Sequence, residues 1–193
     1  LSRARNAALP RLTGDLVAFP DDDCAYPPDL LERVATRFAD DDSLAEQPVG
    51  PKSVRGRVYT PARGSSQTVL VVAGLHPAGI DEPRLMALAR ELAKSQVTVV
   101  TPEIPELSQF EITPALTDQI ERAALWLATS TDLAPTGRIG LMGISFSGGL
   151  SVVAAGRPAL RDRLSYVFAL GGHDDLPRVL TYLCTGVERG SGI

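Results

Sequence analysis

Four short strand-like stretches recur along the chain with helical patterns between them: Thr68 to Ala73, Val97 to Val100, Arg138 to Met142 and Leu164 to Leu170. No other feature of the sequence restricts the fold as much. Thr68 to Ala73 is continuously apolar rather than alternating, as a strand buried on both faces requires. The first intervening segment opens at Asp81, the expected N-cap, with Pro83 in the first turn. Its apolar positions are Leu85, Leu88, Ala89 and Leu92, one face of a helix. The second opens at Thr113-Pro114 and places Leu116, Ile120, Ala123, Ala124 and Leu127 on one face. A third helical segment, Ser147 to Ala155, follows the third stretch, and Leu176 to Cys184 follows the fourth. An earlier strand, Val54 to Thr60, is stopped by Pro61. This alternation predicts an α/β fold, a mostly parallel sheet with helices on both faces.

Residues 1–53 read differently and are expected to form an N-terminal extension. Leu30, Leu31, Val34 and Phe38 follow Pro28-Asp29 at helical spacing, which predicts one amphipathic helix. The acidic triplets Asp21-Asp22-Asp23 and Asp40-Asp41-Asp42 lack the alternating ligands and distant Glu of a calcium loop. They are read as solvated loops or helix caps. Cys24 and Cys184 match no metal spacing and no redox motif; two free, partly buried thiols are expected, with one disulfide between them as the alternative. A formal charge of −4 leaves no basic footprint for nucleic acid. There is no apolar run long enough to cross a membrane as a helix; membrane association and compartment are not readable. No Gly-x-Gly-x-x-Gly follows a strand, and neither metal nor organic cofactor is implied. The chain opens at Leu1 rather than Met, so a trimmed N-terminus is expected.

The chemistry concentrates at Gly143-Ile144-Ser145-Phe146-Ser147, between a predicted strand and a predicted helix. A serine on such a turn is exposed at the carboxyl edge of the sheet, where open α/β sheets bind ligands. The chain must reverse sharply there, so the residues two before and two after Ser145 must be small. Gly143 and Ser147 meet that need, and Gly148 and Gly149 let the helix lie close to the sheet. The helix N-terminus adds positive potential beside the hydroxyl.

With this motif in that context, residues 54–175 resemble the front part of the α/β-hydrolase fold. The resemblance implies a serine hydrolase with Ser145 as nucleophile, acting on a small-molecule acyl substrate such as a carboxylic ester. It implies that the loop Ala73-Gly74-Leu75-His76 supplies an oxyanion donor, the backbone N–H of Leu75, with that of Phe146 as the second. His76 and His173 are placed at the pocket rim. Two departures stand out: Ser147 replaces the usual second glycine, and Ala73 stands where many members have His.

Such a serine needs a base and an orienting acid, in the family order Ser, acid, His. After Ser145 the only histidine is His173, and the only acid between them is Asp162, expected at the wrong edge of the sheet. The expectation is therefore a fold incomplete at its C-terminus, whose own missing C-terminal segment acts as a partner completing the site. Residues 176–193 would be the start of a lid or a truncated end. Acyl transfer by the same nucleophile, or a non-catalytic binding protein on a hydrolase scaffold, are the alternatives. Glu103, Glu106 and Glu111 are expected in a solvated loop.

Overall fold

The computed structural model describes residues 44–50, 54–173 and 175–186. The chain divides into two units, residues 1–41 and 42–193, and the fold is that of the second. The helix expected around residues 30–38, both acidic triplets, Cys24 and Asp174 lie outside the described residues.

Six strands form one sheet: β1 (Leu44–Val49), β2 (Gly56–Pro61), β3 (Gln67–Val72), β4 (Val97–Pro102), β5 (Ile139–Ile144) and β6 (Leu164–Leu170). Their order is β1-β2-β4-β3-β5-β6. β3 runs parallel to β4 and β5, and β5 parallel to β6, while β1–β2 and β2–β4 are antiparallel. The four strand-like stretches are therefore neighbours in one parallel sheet, as the alternation predicts. The sheet begins at Leu44 rather than at Val54, because β1, inside the expected extension, pairs with β2.

Burial follows the period of a strand. Val58, Leu70, Val72 and Val100 face helices α3 (Ala115–Thr129) and α4 (Phe146–Ala155), packing with Leu116, Ile120, Ala123, Leu127 and Ala154. The alternate residues Tyr59, Val69, Val71 and Val99 face α1 (Pro83–Lys94) through Leu85, Ala89 and Ala93. Both faces of the sheet's centre are thus covered, which explains why its sequence is continuously apolar.

Two details differ from expectation. The N-cap of α1 is Glu82, whose carboxylate accepts the Leu85 N–H at 2.6 Å. Asp81 instead ends a short 3₁₀ turn, Gly79–Asp81, and pairs with Arg57. The cause is Pro83: the residue before a proline avoids helical ψ, so Glu82, at ψ 123°, must be the boundary. Second, the loop expected around Glu106 contains a helix, α2 (Pro105–Gln109), too short to show periodicity. β6 forms the other edge of the sheet, with Leu164 its one buried residue. A helix α5 (Pro158–Arg161) precedes it, and α6 (Leu176–Thr185) follows, capped by Asp175 through the Arg178 N–H at 3.0 Å. Cys184 is a free, exposed thiol.

Candidate active site

β5 ends at Ile144 and α4 begins at Phe146, leaving Ser145 alone to turn the chain. Its backbone takes φ 55°, ψ −124°, a conformation that glycine favours and other residues adopt at about 1–3 kcal/mol. Hydrogen bonds over-determine it. The Ser145 N–H donates to Leu170 O at 2.7 Å, and Ser145 O accepts the Gly148 N–H at 2.9 Å. Gly143 cannot be larger: a Cβ there would lie 2.4 Å from Ser147 O and 2.7 Å from Gly148 Cα. A Cβ on Gly149 would lie 2.2 Å from His173 O, so the glycine pair opening α4 does let the helix close on the segment leaving β6.

Ser147 is fully buried. Its Oγ accepts the Ile144 N–H at 2.9 Å and lies 2.9 Å from Val72 O and 3.0 Å from Ile144 O, to either of which it can donate. The sequence shows only that this residue is small; its hydroxyl bridges two strands.

Ser145 lines a cleft of about 480 Å³ with Gly74, Leu75, His76, Glu82 and Arg84. The loop after β3 closes on the elbow, since a Cβ on Gly74 would stand 3.4 Å from Ser145 Cβ. The Phe146 N–H is the first of its helix, where no intrahelical acceptor exists. His76 Nδ1 accepts the Ala78 N–H at 3.2 Å. In the neutral ring the proton therefore sits on Nε2. Arg84 and Glu82 pair at 2.6 Å. The hydrogen bond from Arg84 is the main cause that holds the Glu82 carboxyl below its ordinary range, and the same bond raises Arg84. Neither residue is visible as a cleft residue in the sequence.

His173 lines a different, apolar groove of about 610 Å³, with Ile112, Phe146, Val153 and Ala169. The two hollows flank the elbow, one holding Ser145 and the other Phe146. Asp162 lies before the first residue of β6, its carbonyl accepting from Arg138 at 3.1 Å, at the opposite end of that strand from Ser145. His76 and Glu82 both line the cleft of Ser145, but they are bonded elsewhere, His76 to the Ala78 N–H and Glu82 to Arg84 and the Leu85 N–H, and do not form a histidine–acid pair. The described residues contain neither a cluster of metal-ligating side chains nor a helix long and apolar enough to cross a membrane.

A sequence model of glycosyl transferase family 2 matches residues 1–100, just over half of the chain. The chain belongs to that family. The family match takes in the whole of the first unit, β1 to β3 and β4 as far as Val100, whereas Ser145 and the sheet from β5 onward lie beyond it. No curated protein sequence matches this one. In three dimensions this glycosyl transferase family 2 chain is similar to a dienelactone hydrolase from Anabaena variabilis, with TM-score 0.58, 20% identity, and 71% of this chain covering 68% of the other. It is also similar to the esterase Est22, with TM-score 0.58, 17% identity and coverage of 77% and 53%. A bacterial brefeldin A esterase gives TM-score 0.56, 18% identity and coverage of 94% and 61%. The chain thus spans little more than half the length of these two esterases. These likenesses establish an α/β-hydrolase fold.

Proposed function

We propose that the second unit is a serine hydrolase for a carboxylic ester or similar acyl substrate. The observation that supports this best is the Ser145 backbone. A non-glycine residue in a glycine conformation, held by two backbone hydrogen bonds at the mouth of a cleft, is the kind of local strain that clusters at functional sites. The Ser145 hydroxyl attacks the acyl carbon and the alcohol leaves. Water then releases the acid from the acyl-enzyme. The backbone N–H groups of Leu75 and Phe146 hold the oxyanion; one such donor is worth about 3–4 kcal/mol in a water-excluded site. His76, as an Nε2–H donor on the same cleft, binds substrate rather than taking the serine proton. The reading requires a base and an orienting acid supplied from outside the cleft's described residues. The test is a fluorophosphonate probe on the full chain. It should label Ser145, and Ser145→Ala should remove the label; a label that survives the substitution points to another nucleophile.

The family match favours a second reading for residues 1–100, transfer of a glycosyl group. That activity would be indifferent to Ser145→Ala, because residue 145 lies outside the matched stretch. Measuring sugar transfer to an acceptor by both forms tests it, and equal loss in the variant would tie the two chemistries to one site.

A further inference from the structure

The hydroxyl at position 147 has a place in the sheet. β3 and β5 pair in parallel up to Val72 and Gly143. One step further the ladder reaches the elbow, and there the Ile144 N–H meets Ser147 Oγ at 2.9 Å, which in turn lies 2.9 Å from Val72 O. The hydroxyl accepts from β5 and reaches two acceptors, Val72 O and, at 3.0 Å, Ile144 O; with its proton on Val72 O it adds a rung made by a side chain. A hydroxyl has one proton and two lone pairs, so the same group can make both bonds at once. Burial is complete at Ser147, so no water competes for either bond.

Ile144 is the residue before Ser145, and Ser145 is itself fastened to the other neighbouring strand through Leu170 O at 2.7 Å. The elbow is therefore tied on both sides: to β6 by the backbone of Ser145, and to β3 by the side chain of Ser147. Without the second tie the peptide entering the turn is held from β6 alone, and the strained φ of 55° loses one of its constraints.

We propose that Ser147 is a positioning residue for Ser145, its hydroxyl holding the Gly143–Ile144 peptide, the one just before the turn, on β3 so that the nucleophile keeps its place beside the Leu75 amide. This rests on the reading of Ser145 as the nucleophile. It also states that the serine in place of glycine is a working part of this site rather than a tolerated replacement.

The experiment has two independent readouts on the full chain. The first is hydrogen exchange at the Ile144 amide, which needs no catalytic assumption and no variant. Ile144 should exchange as slowly as the central amides of β3 and β5, and about tenfold or more faster in Ser147→Ala. The second is the saturation kinetics of fluorophosphonate labelling. Ser147→Ala and Ser147→Gly should lower the limiting rate about tenfold, the equivalent of one hydrogen bond, with the half-saturating probe concentration unchanged because no cleft residue is altered. A fall confined to half-saturation, or labelling at the unsubstituted rate, overturns the positioning role while leaving Ser145 as the nucleophile. Rapid exchange of Ile144 in the unsubstituted chain overturns the bridge itself, even if neither variant folds. If the unsubstituted chain is not labelled at Ser145, the hydrolase reading fails and the positioning role falls with it.

Discussion

A methyl group would be received in opposite ways at two glycines of the same strand–helix unit. At Gly143 an added Cβ meets backbone on two sides, 2.4 Å from Ser147 O and 2.7 Å from Gly148 Cα. Neither can move without shifting α4. At Gly156, just past α4, its nearest neighbour is Val153 O at 3.5 Å, an ordinary contact, and φ is −70°. Gly143→Ala should therefore cost about 1–3 kcal/mol by overpacking. Gly156→Ala should gain about 0.4–1 kcal/mol, chiefly by restricting the unfolded chain. Urea unfolding of the two variants checks both signs, and a neutral Gly143→Ala would mean that the elbow is looser than its distances state. Ser145 and Gly143 were legible in the sequence because the turn dictates which residue types fit at which spacing. The hydroxyl bridge of Ser147 was not, since its partner Val72 is distant in sequence and only the pairing of β3 with β5 brings the two together. His76 was legible as a rim residue, but its tautomer depends on one backbone N–H that no spacing rule reveals.

At the scale of an element, α1 is the most instructive case. Its cap, Glu82, serves three purposes at once: it accepts the Leu85 N–H, pairs with Arg84 and lines the Ser145 cleft. Removing the cap as Glu82→Ala should cost about 1 kcal/mol at neutral pH. The pH dependence follows from the direction of its shift. The folded carboxyl titrates below its ordinary value, chiefly because of the Arg84 hydrogen bond. Its stabilising contribution is therefore complete above the unfolded value, about 4.3, and is lost as pH falls through the lower folded value. The difference in unfolding free energy between the unsubstituted chain and Glu82→Ala should be large at pH 7 and should shrink in strong acid. A difference that stays constant would mean the carboxylate is not the cap. Long elements were readable because many residues repeat one pattern, as in β3, where five consecutive residues are buried. α2 and α5, of five and four residues, offer too few positions for a period to register. β1 was missed because it adds to the sheet by backbone pairing with β2, which leaves little trace in side-chain pattern.

For the second unit taken whole, the two ends of the sheet are unlike. One end closes with the antiparallel pair β1 and β2. At the other, β6 shows Tyr166, Val167, Phe168 and Leu170 between 39% and 49% exposed. Successive strand residues point to opposite faces, so both faces of β6 are open among the described residues, as well as its hydrogen-bonding edge. The sequence records the apolar character of a strand such as β6 without recording what meets it. A flat apolar edge is a template for pairing with another chain, and no lysine, proline or glycine interrupts β6. The full chain should therefore self-associate increasingly with concentration and bind an apolar dye such as ANS. Phe168→Lys should weaken both, since a charge on an edge strand opposes pairing. Tyr166 should be left in place, because its ring fills the space above Gly140, where a Cβ would lie 2.2 Å away. Sedimentation velocity over a wide concentration range reads the association directly. If the unsubstituted chain stays monomeric at the highest concentration and binds no dye, the open edge is not adhesive. If Phe168→Lys associates as strongly as the unsubstituted chain, the contact lies elsewhere, and the apolar groove beside Val153 and Phe146 becomes the surface to substitute next.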